Sequence, residues 1–220
     1  PAWRGLLGVE GTLERWAYSE QETRMTALDL PFSQAEIVTT ARKESLLTRK
    51  FIIEQVRLRR FIGGYVITGL RDTPVTTSGI FDDFDRPKYD PVTFRQFNSA
   101  TVLLLASGRK RRWINGGDRP VMGDRFNHIG GSTLDLRLVA AHEEASNSAT
   151  QASWRIISPD GEVQASGTSD VTLTAQSPQE IARIRYRLPE VEQPAIYTLE
   201  AAFSDGTRNQ WSMYVYPPAA

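Results

Sequence analysis

From Thr101 onward the chain breaks into short segments in which apolar and polar residues alternate, and this pattern constrains the fold more than any other feature. The segments read TVLLLAS, TLDLRLVAA, ASWRIIS, EVQASG, VTLTAQ, IARIRYRL, AIYTLEAAFS and QWSMYVY. Alternation with period two places successive side chains on opposite faces of an extended chain, which suits a strand with one buried face. Turn chemistry separates the segments, as in Ser158-Pro-Asp-Gly161 and Ser204-Asp-Gly-Thr207, where proline presets one turn angle and glycine accepts a positive φ. Many short strands at this spacing predict an antiparallel β-sandwich of immunoglobulin-like type over residues 99–220. Trp154 and Trp211 fall within its strands and are expected to anchor the core.

Residues 1–98 have a different texture. An apolar run, Trp3 to Val9, ends on Glu10 and reads as a short buried strand that carries a carboxylate to its end. Residues 19–31 are polar and irregular. Ser33-Gln-Ala-Glu36 then forms a capping box, in which the serine hydroxyl and the glutamate satisfy each other's backbone N–H groups. The helix it starts is expected to run to about Arg60, with Ile37, Ala41, Leu47, Phe51, Ile52, Val56 and Leu58 at helical spacing. Gly63 and Gly64 end it, and Tyr65 to Leu70, rich in β-branched and aromatic residues, reads as a second strand. Strand, helix and strand in this order normally build a parallel sheet. Two such strands lack neighbours and apolar cover, so this half reads as part of a larger parallel array.

Composition narrows the chemistry. The chain of 220 residues carries 26 basic and 26 acidic side chains, a balance without the charge excess that nucleic acid or an anionic membrane surface selects. The run Arg109-Lys-Arg-Arg-Trp113 reads as a solvated hairpin beside Asn115-Gly-Gly-Asp-Arg-Pro120. No apolar run approaches the roughly 20 residues that cross a bilayer, so a soluble chain is expected, cytoplasmic or secreted. Cysteine is absent and the two histidines, His128 and His142, lack metal-ligand spacing. No metal and no cofactor is therefore expected. The first residue is Pro1, as in a processed chain or a piece of a longer one.

The segment Gly64 to Lys88, GYVITGLRDTPVTTSGIFDDFDRPK, resembles the last barrel strand and following loop of glycoside hydrolase family 2, the β-galactosidases and β-glucuronidases. Its matching elements are the Gly-Tyr entry, Asp72, Gly79 followed by Asp82 and Asp83, and Asp85-Arg-Pro-Lys88. The tail from Leu188 to Pro217 is similar to the terminal sandwich of such enzymes, with Asn209 and Trp211 matching a recurrent Asn-x-Trp. The resemblance implies a fold of α/β plus all-β class: a partial (β/α)8 TIM barrel over residues 1–98 followed by the immunoglobulin-like sandwich over 99–220.

It also implies that Glu10 stands where the family has its nucleophile, although glycine rather than an aromatic residue follows it. Trp3, Trp16 and Tyr18 could form a stacking platform for a sugar ring; Trp16, just past Glu10, is the expected subsite residue, and core packing is the expectation for Trp3. Arg71 and Asp72 are expected either to bind sugar hydroxyls or to form an ion pair that orders the loop. The family's acid/base glutamate follows an asparagine, and no Asn-Glu pair occurs in this chain. The expected function is thus the C-terminal fragment or subunit of a retaining glycosidase acting on β-linked glycosides. Its expected partners are a carbohydrate substrate and a second polypeptide or a missing N-terminal part. The alternatives are a non-catalytic carbohydrate-binding or structural β-sandwich subunit and a degenerate barrel relic.

Overall fold

The computed structural model describes residue 20 and residues 23–73, 77–82, 84–108, 110–114, 117–121 and 124–218. The expected strand at Trp3 to Val9 lies outside these residues. The chain divides into two units, Pro1–Ile52 with Tyr65–Phe94, and Ile53–Gly64 with Arg95–Ala220.

In the first unit, residues 23–27 are helical within the stretch expected to be irregular. Helix α1 spans Gln34–Arg57, and its last turn counts with the second unit. Its capping box forms as the sequence predicts: the Ser33 amide donates to Glu36 Oε2 at 2.7 Å and the Glu36 amide donates to Ser33 Oγ at 3.2 Å. The predicted apolar stripe is not a buried face among the described residues. Leu47, Phe51 and Ile52 are exposed, and the positions that bury are Ile53, Glu54 and Arg57.

The expected strand at Tyr65 to Leu70 is also corrected. These residues are in no ladder with any described residue, and Val66 is 87% exposed. A strand exists only against a hydrogen-bonding neighbour, and an apolar, β-branched sequence does not supply one. Pairing begins one residue later, where Arg71 bridges Phe81 and Phe81 bridges Pro87. A TIM-barrel segment is therefore not formed by the described residues. Helix α2, Pro91–Arg95, follows with an N-cap at Asp90, whose Oδ2 accepts from the Thr93 amide at 2.8 Å.

The described residues of the second unit form ten strands arranged as a β-sandwich. They are β1 Thr101–Ser107, β2 Lys110–Ile114, β3 Gly117–Val121, β4 Asn127–Ile129, β5 Thr133–His142, β6 Ser148–Ile157, β7 Val163–Leu173, β8 Gln179–Arg187, β9 Ala195–Phe203 and β10 Arg208–Tyr216. One sheet runs β1-β5-β8, the other β4-β10-β9-β6-β7, and β2-β3 forms a separate hairpin. All pairings are antiparallel except β4 with β10. The chain crosses between sheets after β5, returns for β8 and crosses again to β9, the Greek-key habit of such sandwiches.

Inward residues of both sheets make one core, with Leu103, Leu136, Leu138 and Ile184 facing Ile156, Leu199, Trp211 and Met213. The outer face of β1 and β5 is buried too, through Val102, Leu104 and Val139 packed with Leu58. That explains why TVLLLAS is continuously apolar while the strands of the larger sheet alternate.

One sequence boundary is wrong for a specific reason. EVQASG and VTLTAQ are expected as two strands, the first ending on Gly167, yet β7 is continuous from Val163 to Leu173. Gly167 is paired with Trp154, and a β-carbon built on it would lie 2.7 to 2.8 Å from the Trp154 indole. The glycine is there to make room for a ring on the core face, not to make a turn.

Candidate functional site

Of the four residues singled out from the sequence, Glu10 and Trp16 lie outside the described residues; Arg71 and Asp72 are described. They do not pair with each other. Arg71 reaches the exposed Asp85 at 3.2 Å, a contact between solvated groups that contributes little. Asp72 is nearly buried and receives Lys88 Nζ on both oxygens at 2.9 Å, with the Gly79 amide on Oδ1 at 2.8 Å. Lys88 Nζ also donates to the Thr77 carbonyl at 2.7 Å. Both residues that close this loop, Asp72 and Lys88, come from the motif segment, so the expected ion pair exists but with Lys88 in place of Arg71.

The backbone explains why these groups meet. Asp72 N–H donates to Phe81 O at 3.0 Å, Phe81 N–H to Leu70 O at 3.0 Å and Lys88 N–H to Ile80 O at 2.9 Å, which lays three short segments side by side. Gly79 sits where they cross: a β-carbon there would lie 2.5 Å from Arg71 C and Asp72 N, and 2.7 Å from Phe81 O. The loop is pinned to α1 through Tyr89, whose hydroxyl shares a 2.8 Å hydrogen bond with Ser45 and accepts from Arg49 Nε at 3.3 Å.

Asp82 closes the turn that follows. Its Oδ1 accepts the Phe84 and Arg86 amides, both at 2.9 Å, while Asp85 takes a positive φ of 60°. Burial pushes the Asp82 carboxyl up. The Arg86 and Phe84 amides and the positive charges of Arg86 and Arg42 outweigh that and hold it below the usual carboxylate range. A depressed folded-state pKa gives stability that is present above the unfolded value, about 3.9, and is lost as pH falls through the folded value. In an acid titration followed by NMR, the Phe84 and Arg86 amides should therefore hold their shifts through the ordinary carboxylate range and move together only below it. Movement with a midpoint at or above that range would contradict the assignment.

Sequence reasoning found the Asn-x-Trp pair but not its partner. Asn209 and Trp211 both face inward on β10 and converge on Glu54 in the last turn of α1, which is 1% exposed. Glu54 Oε1 accepts from Asn209 Nδ2 at 3.1 Å and from Trp211 Nε1 at 3.0 Å, and Oε2 accepts the same indole N–H at 3.1 Å. Arg125, also buried, supplies the balancing charge from 3.4 Å and donates to the Leu105 carbonyl. Asn209 Nδ2 donates as well to Leu103 O at 2.8 Å. Turned to satisfy both ends of its amide, Gln55 offers its oxygen to Arg125 at 2.9 and 3.1 Å. A carboxylate sealed from solvent with both oxygens occupied cannot attack or protonate a substrate. It is a structural clasp that ties helix end to sandwich. The sequence signal for this partner is a glutamate, Glu54, standing among the apolar positions Phe51, Ile52 and Val56 of the helix.

Among the described residues no group of three or more His, Cys, Asp or Glu could hold a metal ion, and no helix is long and apolar enough to cross a membrane.

Comparisons with known proteins add the following. A family model described as a domain of unknown function, DUF8488, matches residues 133–217, which run from β5 through β10. No curated protein matches the chain. Among solved structures, a β-glucuronidase from glycoside hydrolase family 2 is similar at 16% identity and a TM-score of 0.32, over 40% of this chain and 10% of its own. A Bacteroides fragilis protein assigned as a β-galactosidase is similar at 10% identity and the same TM-score of 0.32, over 50% of this chain and 15% of its own. A DNA-bound alkylpurine DNA glycosylase, AlkC, from Pseudomonas fluorescens reaches 0.32 as well, at 13% identity over 41% and 27% of the two chains. This chain thus spans a small part of each matched protein. Two glycosidases and a DNA glycosylase score alike, and likenesses of this size carry no argument about function.

Proposed function

We propose that this chain is the C-terminal portion of a retaining glycoside hydrolase that acts on β-linked glycosides, completed by a second polypeptide or by a preceding part of the same one. The observation that carries the reading is the uncovered apolar surface of the first unit. Leu47, Phe51 and Ile52 on α1 are exposed, and the Leu70 side chain is 64% exposed. Leu47 and Phe51, four residues apart, share one face of α1, and exposed apolar side chains set together suit an interaction face. A helix followed by an apolar, β-branched segment that lies in no ladder among the described residues is in keeping with one repeat of a parallel barrel. The residue pattern from Gly64 to Lys88 resembles glycoside hydrolase family 2, and that resemblance supports a barrel of this kind as the one completed.

In this reading Glu10 attacks the anomeric carbon, and the leaving-group oxygen takes a proton from a second carboxylic acid roughly 5 to 5.5 Å away. That acid, now a base, then activates water to release the sugar from Glu10. The second carboxyl group comes from the completing polypeptide. Trp16 stacks on a sugar ring, and Arg71 with the remaining lone pair of Asp72 Oδ2 orients hydroxyl groups. A non-catalytic carbohydrate-binding or structural role is favoured by one feature: Asp72 and Lys88 are already committed to each other.

Labelling of the native assembly with a mechanism-based glycosidase inhibitor, followed by peptide mapping, separates the two. Catalysis by this chain predicts a label on Glu10 that is lost in Glu10→Gln. A label confined to another polypeptide would make this chain a binding or structural subunit.

A further inference from the structure

We propose that the solvent face of the five-stranded sheet is a second binding site, a groove for an oligosaccharide that carries a carboxylate, such as a uronic-acid chain. The inference rests on the sheet face alone and holds whether or not Glu10 is catalytic. The groove measures about 840 Å³ and crosses β7, β6, β9 and β10, within the size range of ligand clefts.

Strand register arranges its outward side chains in two rows. Thr168, Ser153, Ala202 and Arg208 face one another across the four strands in the first, and Ser166, Arg155, Glu200 and Gln210 in the second. Ser153 and Ala202, at the centre of the first row, are small, which leaves a trough. Arg155 and Glu200, bonded at 2.7 Å, form its wall.

The chemistry of this surface selects the ligand. Seven of these eight side chains can hydrogen-bond, and hydroxyls and amides offer both donors and acceptors, which suits a ligand covered in hydroxyl groups. Strands repeat about every 4.8 Å, a step close to the advance of one pyranose per residue, so successive sugars can meet successive strands. Arg155 is neutralised by Glu200, whereas Arg208 is exposed and makes no hydrogen bond or ion pair among the described residues. A planar guanidinium left over in a polar groove matches a carboxylate, which it can hold with two parallel hydrogen bonds. Trp154, partly buried against the core, also lines the groove, so one indole borders the polar rows. A peptide fits less well, since extended peptides add along a sheet edge through main-chain bonds, whereas this groove runs across the strands over the sheet face.

Titration of the full chain with trigalacturonate, read by backbone amide shifts in NMR, tests the proposal. The expected result is saturable shifts at Ser153, Thr168, Ala202 and Arg208, with cellotriose binding about tenfold more weakly for want of the charge. Arg208→Ala should weaken trigalacturonate about tenfold and leave cellotriose unchanged, and Ala202→Leu, which fills the trough, should weaken both. Each variant's melting curve, expected to match the parent's, shows that the fold is kept. No saturable binding of trigalacturonate up to about 10 mM, binding indifferent to both substitutions, or equal binding of tri-glutamate would each overturn it.

Discussion

Glu54→Ala should cost the chain about 3 to 5 kcal/mol of stability, because it removes one partner of a buried charge pair and leaves the other in place. Arg125 would keep its charge beside Leu105 without its buried carboxylate partner, leaving Asp124 as the acidic neighbour that acts on it, and the Trp211 indole N–H would lose its acceptor while remaining 3% exposed. Asn209 is less affected, since it retains the Leu103 carbonyl. A folded domain has only about 5 to 15 kcal/mol in hand, so this is a large share. Urea unfolding followed by tryptophan fluorescence measures it, and a loss below about 1 kcal/mol would show the clasp to be dispensable. Glu54→Gln separates the two components: it preserves an oxygen for Trp211 and removes the charge that Arg125 needs, so its cost should fall between wild type and alanine. In the double variant Glu54→Ala, Arg125→Met the losses should not add, because the orphaned charge is gone.

Gly79→Ala should be the most damaging single substitution in the first unit. Atoms of three residues, all backbone, lie within 2.7 Å of where the new methyl would go, and backbone cannot rotate away as a side chain end can. Overpacking of this kind costs roughly 1 to 3 kcal/mol and occasionally more. The damage should be local: the Gly79 amide moves off Asp72, the Asp72–Lys88 pair opens, and the Asp72 amide loses its Phe81 acceptor. Hydrogen exchange at Asp72 and Phe81 should accelerate markedly. Gly64→Ala is the control, since no atom lies within 4 Å of its added carbon, and it should leave exchange at those amides unaltered. Equal behaviour of the two variants would mean that the crossing at Gly79 does not hold the loop.

The sequence was most legible where a signal is local. The capping box needs only Ser33 and Glu36, three residues apart, and it forms at the predicted helix start. Ser158-Pro-Asp-Gly161 and Ser204-Asp-Gly-Thr207 turn where expected, with Gly161 and Gly206 at positive φ. TVLLLAS, Thr101 to Ser107, is a strand to the residue. Alternation likewise identified the sandwich and put Trp211 in its core. Signals that depend on a distant partner misled. Gly167 reads as the end of a strand until the Trp154 indole is seen to occupy the space above it. Tyr65 to Leu70 has the composition of a strand, but composition cannot provide a neighbour. Asp72 looked ready to pair with its sequence neighbour Arg71, whereas the crossing of three segments brought it Lys88.

The amino-acid sequence by itself determined the period of the sandwich strands, the start of α1 and the places where the chain turns, because each follows from backbone sterics and hydrogen bonds within a few residues. Only the tertiary structure decided which polar groups are sealed inside. Glu54 is separated from Asn209 by 155 residues, and nothing in either local segment marks the two as partners. Burial of a charge is tolerated only where the fold delivers its counter-charge and donors together, and that coincidence is a property of packing, not of any stretch of sequence.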